Sequence, residues 1–78
     1  MENKIHIKVS TNDQAASLVS GLNAVPYPCY LYNGKGNECV DAKSYLGVVY
    51  FMVMHQHDTY FWSGQDEIPE CIAGLMVD

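Results

Sequence analysis

The sequence predicts a small α+β domain, an open-faced β-sandwich whose four-stranded, mostly antiparallel sheet carries three helices on one face in the order β-α-β-β-α-β-α. Three observations lead there. Short stretches of period two alternate with stretches whose apolar residues recur every three or four positions. The strands do not fall into βαβ repeats, which favours antiparallel pairing over a doubly wound parallel sheet. Finally, 78 residues leave room for one domain, residues 1–78, and a core that small needs nearly every element to contribute.

The first strand is expected over Lys4–Val9, where Ile5, Ile7 and Val9 alternate with Lys4, His6 and Lys8. Thr11 and Gln14 have capping-box spacing at the start of a first helix, whose inner stripe is Ala15, Leu18, Val19 and Leu22. Pro26 and Pro28 end that helix and hold the chain extended. Cys29–Tyr32 reads as the second strand and Glu38–Asp41 as the third. Between them Asn33-Gly34 signals a type I′ turn, which needs positive φ at both central positions. Lys43 to about Phe51 reads as a short helix with Leu46, Val49, Tyr50 and Val53 three and four apart. Asp58–Ser63 is an aromatic-rich fourth strand. Asp66 is expected to cap a last helix with Pro69 in its first turn and Ile68, Cys71, Ile72 and Leu75 inward.

Composition narrows the function classes. Nine acids against four lysines, with no arginine, leave a formal charge of −5. Nucleic-acid binding needs clustered basic residues to replace phosphate counterions, so that class is excluded. Bidentate recognition of phosphate by a guanidinium is excluded with it. Met1-Glu2-Asn3-Lys4 leads directly into a strand, with no signal peptide visible, and the apolar run Tyr45–Met54 is too short for a membrane helix of about 20 residues. The expectation is a cytoplasmic protein that binds no membrane. Cys29, Cys39 and Cys71 are odd in number and far apart, which fits reduced, mostly buried thiols better than a disulfide framework.

The segment Val40-Asp41-Ala42-Lys43-Ser44-Tyr45-Leu46-Gly47-Val48 resembles the serine-bearing segment of HPr, the small phosphocarrier of the bacterial sugar phosphotransferase system, which reads close to Val-Asn-Ala-Lys-Ser-Ile-Leu-Gly-Val. Asn33-Gly34-Lys35 resembles a common hairpin of that family, with two or three extra residues after it. Asp58-Thr59 is similar to the start of its fourth strand, and Ala15-Ala16-Ser17-Leu18-Val19 to the first turns of its first helix. The resemblance implies the HPr open-faced sandwich. It also exposes a departure. Family phosphocarriers place His-Ala-Arg-Pro ahead of the Ala-Ala pair, where this chain has Thr11, Asn12, Asp13 and Gln14. A threonine does not act as a reversible nitrogen nucleophile near neutral pH, and Asp13 puts negative charge where a phosphoryl group would sit. The expectation is therefore a noncatalytic, cofactor-free HPr-like module that binds a protein partner.

In Gram-positive relatives the serine that matches Ser44 is phosphorylated by a dedicated kinase, and the modified protein joins a transcriptional regulator in catabolite repression. The resemblance thus marks Ser44 as a candidate for regulatory phosphorylation and Tyr45, Leu46 and Val49 as candidate partner contacts. The plainer role for Ser44 is to cap the helix. Two rival functions stand beside this one. One is a phosphocarrier that uses His55 or His57. The other is a structural homo-oligomer joined through its aromatic strands. His55-x-His57 has strand-like spacing that puts both rings on one face, as at the start of a zinc or copper site. No third ligand is close in sequence, and Cys39 or Asp58 would join only through the fold, so a polar turn is preferred and no metal is expected. His6 is placed on the outer face of the first strand with no chemistry. Of Tyr27, Tyr30, Tyr32, Tyr60, Phe61 and Trp62, some must be core. The alternate ones are expected on an uncovered sheet face suited to a partner or a second copy of the chain.

Overall fold

The computed structural model describes residues 3–77 and contains β1 (Ile5–Ile7), α1 (Asn12–Asn23), β2 (Tyr30–Tyr32), β3 (Cys39–Asp41), α2 (Tyr45–Met54), β4 (Thr59–Trp62) and α3 (Glu70–Ala73). Met1-Glu2, read above as leading directly into the first strand, and Asp78 lie outside the described residues. The strands order as β1-β4-β2-β3, and every neighbouring pair is antiparallel. This is the expected α+β architecture, an open antiparallel sheet with three helices.

Strand register decides the two faces. Ile5, Phe61, Leu31 and Val40 form one row across the sheet, and His6, Tyr60, Tyr32 and Cys39 form the next. Because successive side chains point to opposite faces, the first row lies under the helices and the second faces away. Ile7, Leu31 and Phe61 are buried together with Ala15, Leu18 and Leu22 of α1, Val48 and Phe51 of α2, and Ile72 of α3. The inner stripe expected for α1 is the one observed.

Local chemistry sets most boundaries. Thr11 adopts an extended φ of −133° and its hydroxyl accepts from the Gln14 N–H at 3.1 Å. The Gln14 side chain reaches back to the Ser10 N–H at 2.7 Å, one residue earlier than in a standard capping box. Helix α1 stops at Asn23, before Pro26 could enter it. The last described residues close the sheet. Lys8 N–H donates to the Leu75 carbonyl at 2.9 Å and Val77 N–H to the His6 carbonyl at 3.0 Å, so the segment after α3 covers the outer edge of β1.

Two local expectations are corrected. Asn33-Gly34 does not form a type I′ turn, since positive φ occurs downstream at Gly36. The Asn33 carbonyl accepts from Gly36 N–H at 2.9 Å. Its side-chain oxygen accepts from Glu38 N–H at 3.1 Å, so the additional residues widen the loop around a buried asparagine. Asp66 does not cap α3. That helix opens only at Glu70, with Pro69 at the N-cap and no side-chain cap bond, and Ile68 is exposed rather than inward. The spacing read along α2 left open which side faces the core, and the fold decides it, with Val49 half-buried against the core. Leu46, Tyr50 and Val53 are exposed, and Val48 and Phe51 supply the buried contacts.

Helices α1 and α3 touch at Gly21, where an added Cβ would stand 2.8 Å from both Cβ and Sγ of Cys71. A Cβ atom cannot yield as a flexible side-chain tip can. Gly21→Ala is therefore expected to destabilise the fold by about 1 to 2 kcal/mol in urea denaturation, overpacking outweighing the gain of about 1 kcal/mol in helix propensity. Gly74→Ala, with open space around it, should change stability by about 0.5 kcal/mol or less.

Candidate functional site

Helix α2 starts from a serine cap that its own sequence supplies. Ser44 has φ −99° and ψ 120°, and its Oγ accepts from the Gly47 N–H at 3.3 Å. The turn leading into it is tied by Ser44 N–H donating to the Asp41 carbonyl at 3.0 Å and Lys43 N–H to Asp41 Oδ1 at 2.8 Å. Ser44 is half-buried. Lys43, next to Ser44 in sequence, sends its ammonium to the Val25 carbonyl at 2.7 Å, so its charge serves the connection between α1 and β2.

The next ten residues, Tyr45–Met54, contain no charged side chain. Only Val48 and Phe51 among them are fully buried, while Leu46 is 80% exposed, Val53 67% and Met54 60%. Tyr45 and Tyr50 are also exposed, and Val49 is half-buried against the core. Of the three candidate contacts named from the sequence, Tyr45 and Leu46 thus lie open beside Ser44, and Val49 is partly withdrawn. Tyr50, Val53 and Met54 extend the apolar surface along the helix. The sequence signal for that extension is the absence of any charge over ten residues.

One side of this surface is bounded by a polar cluster that spacing alone does not reveal. Glu38, just before β3, accepts from the Tyr50 hydroxyl through Oε1 at 2.7 Å, and its Oε2 lies 2.8 Å from Nε2 of His55. His55 is the C-cap of α2 and its ring packs on Phe51 with centroids 4.6 Å apart. The Tyr50 hydroxyl hydrogen bond, followed by that of His55 and its charge when protonated, holds the Glu38 carboxyl below its ordinary value, against partial desolvation. The same bond raises the Tyr50 phenol.

His55 and His57 do not share a strand face, which corrects the spacing argument. His55 ends a helix, and His57 lies in the turn before β4, exposed, with its carbonyl 3.2 Å from His6 Nε2. Asp58 turns away to accept from Gly34 N–H at 3.0 Å. Among the described residues no group of three or more His, Cys, Asp and Glu could hold a metal ion. Cys29 is buried, Cys71 half-buried and Cys39 exposed, so one of the three thiols departs from the expected burial. Burial raises the Cys29 and Cys71 thiols above their ordinary value.

The start of α1 is filled by its own side chains. Thr11 Oγ1 and Gln14 Oε1 occupy the Gln14 and Ser10 donors, so two groups an anion would use are taken. Asp13 lies in the first turn and, with Glu70, lines a groove of about 320 Å³ between α1 and α3. Two carboxylates there repel a phosphoryl group. Comparison with protein-family models, curated proteins and solved structures finds no match for this chain. Among the described residues no helix is long and apolar enough to cross a membrane.

Ser44→Ala should cost about 1 kcal/mol in chemical denaturation, the usual value of an N-cap, whereas Ser44→Asp, a good cap itself, should cost less. Tyr50→Phe should raise the Glu38 titration midpoint, followed by carboxyl carbon NMR. A depressed folded-state pKa stabilises above the ordinary carboxylate range and loses that contribution as pH falls through the folded value. The stability difference between wild type and Tyr50→Phe should accordingly shrink on acidification.

Proposed function

We propose that this chain is a noncatalytic, HPr-like protein-binding module of the cytoplasm, related to the phosphotransferase system, with Ser44 as a candidate site of regulatory phosphorylation at the margin of its docking face. The observation that carries this reading is the exposed side of α2. A helix apolar on all sides belongs in an interior. Here one side is in the core and the other, around Leu46, Val53 and Met54, meets solvent. Covering such a patch is favourable by about 25 cal/mol per Å² of apolar area removed from water. Support also comes from the element order and single covered sheet face, which accord with the HPr architecture that the Val40–Val48 segment resembles. A phosphate on the half-buried Ser44 would stand at the start of α2, next to Tyr45 and Leu46. It would add about −1.5 to −2 charges there and recruit basic groups of a partner.

The phosphocarrier alternative is weaker on chemical grounds. His55 already shares its Nε2 with a carboxylate, which repels an incoming phosphoryl group, and the chain has no arginine to offset that charge.

The test is calorimetric titration of the chain against enzyme I, the HPr-directed serine kinase and the HPr-dependent transcriptional regulator, before and after kinase treatment. Binding to at least one of them is expected, and Leu46→Asp should weaken it about tenfold or more while leaving the fold intact. Enzyme I with phosphoenolpyruvate should add no phosphate by mass spectrometry. A labile phosphate on any histidine, or no binding to any of the three proteins at about 1 mM, would overturn the reading.

A further inference from the structure

We infer that the open face of the sheet is a second docking surface, distinct from α2, and that its occupant is a second copy of this chain packed face to face. The face carries two rows of side chains. Ile5 pairs with Phe61, which sets Lys4 beside Trp62, so one row runs Lys4, Trp62, Tyr30, Asp41. The other runs His6, Tyr60, Tyr32, Cys39. The rings form two contacting groups, His6 with Tyr60 and Trp62 with Tyr30 and Tyr32. His6 stacks on Tyr60 at 4.7 Å, and Trp62 lies 6.3 Å from both Tyr30 and Tyr32. None of these rings is fully buried, and the helices all lie on the opposite face.

The ends of the first row carry opposite charges, Lys4 and Asp41, the latter meeting a partner through Oδ2 because Oδ1 accepts from Lys43 N–H at 2.8 Å. A two-fold axis parallel to the strands reverses the order across the sheet and preserves position along it. It therefore lays β1 on β3 of the second copy, and β4 on its β2. Lys4 then meets Asp41 of the second copy at both rims, and Trp62 meets Tyr30 at the centre. Aligned sheet packing sets the sheets about 10 Å apart and rotates them by about 30°, which moves the rims by only a few Å, within the reach of a lysine. Lys4 is free to take part. Among the described residues its ammonium meets the exposed Gly34 carbonyl at 3.2 Å and the Tyr60 ring at 4.6 Å, both weak surface contacts.

The net charge of −5 does not prevent this contact. Asp13, Glu67 and Glu70 line the grooves along α1 and α3, on the helical side, and Glu38 is bonded to Tyr50 and His55 of α2. Screening at physiological salt acts over about 8 Å, so those acids contribute little at the open face. A single-stranded nucleic acid would also stack on aromatic rings, but it requires a basic groove that this face, with Lys4 and Lys8 alone, does not offer. Four strands of three or four residues span roughly 15 to 20 Å by 12 Å. That is smaller than the roughly 800 Å² per partner of a standard interface, so the dimer is weak and concentration-dependent.

Sedimentation velocity of the full chain from about 10 μM to about 1 mM should show a monomer–dimer equilibrium. Trp62, the single tryptophan, reports it directly, because its emission should move to longer wavelength on dilution. Lys4→Glu and Asp41→Lys should each weaken the dimer about tenfold, since each places two like-charge pairs across the axis, and the double variant should return to within about threefold of wild type. Leu46→Asp should leave it unchanged. A monomer at every concentration, a dimer lost in Leu46→Asp, or a double variant no better than the single ones would overturn the inference.

Discussion

The constraint on which the rest of this structure depends is that the chain has apolar volume for one core layer only. Ile7, Leu31 and Phe61 fill the underside of the sheet, and Leu18, Leu22, Phe51 and Ile72 close over them. A domain of this size buries only about 60% of the surface its unfolded chain exposes. No second layer is available for the far side of the sheet or the far side of α2. The large apolar side chains in excess of the core must therefore end at the surface, and apart from Ile68, Met76 and Val77 they gather in two groups, one on α2 and one on the open sheet face.

The two groups differ in how the chain accommodates them. On the sheet, Tyr30, Tyr32 and Trp62 cover one another, Tyr60 stacks with His6, and their polar atoms suit a half-wet surface. On α2, Leu46, Val53 and Met54 have no such polar handles and remain open. Tyr50 is the exception, since its hydroxyl is anchored by Glu38. The helix surface is thus the less satisfied of the two, which is why it carries the functional reading, while the sheet surface is the more self-contained and supports a weaker contact.

Helix caps explain why two serine- and threonine-led helix starts differ in what they offer. At α1 the threonine and glutamine satisfy donors from within, and Asp13 adds charge of the wrong sign for an anion. At α2 no acid occupies the first turn, and the serine bond to Gly47 is a long one at 3.3 Å. Gly47 is itself held close to Val40, where an added Cβ would stand 3.1 Å from the valine Cβ, so the cap is pressed against β3 by packing as well as by hydrogen bonding.

The sequence by itself determined the element order, the two faces of the sheet and the Ser44 and Thr11 caps, because each depends on residues within about four positions of one another. Alternation sent Ile5 and Ile7 inward and His6 outward, and period three to four placed Leu18 and Leu22 in the core. It named Leu46, Tyr50 and Val53 as one helical stripe but not which side that stripe faces, since α2 is apolar all round and periodicity carries no preference there. Only the tertiary structure decided that. The sealing of β1 by the segment after α3 likewise depends on distant partners, whereas the positive φ at Gly36 goes with the Asn33 bonds to Gly36 and Glu38 inside the loop. The Glu38–Tyr50–His55 cluster joins residues 12 and 17 positions apart, a separation no local pattern encodes. Contacts of that range arise only once the single core layer has brought β3 and α2 side by side.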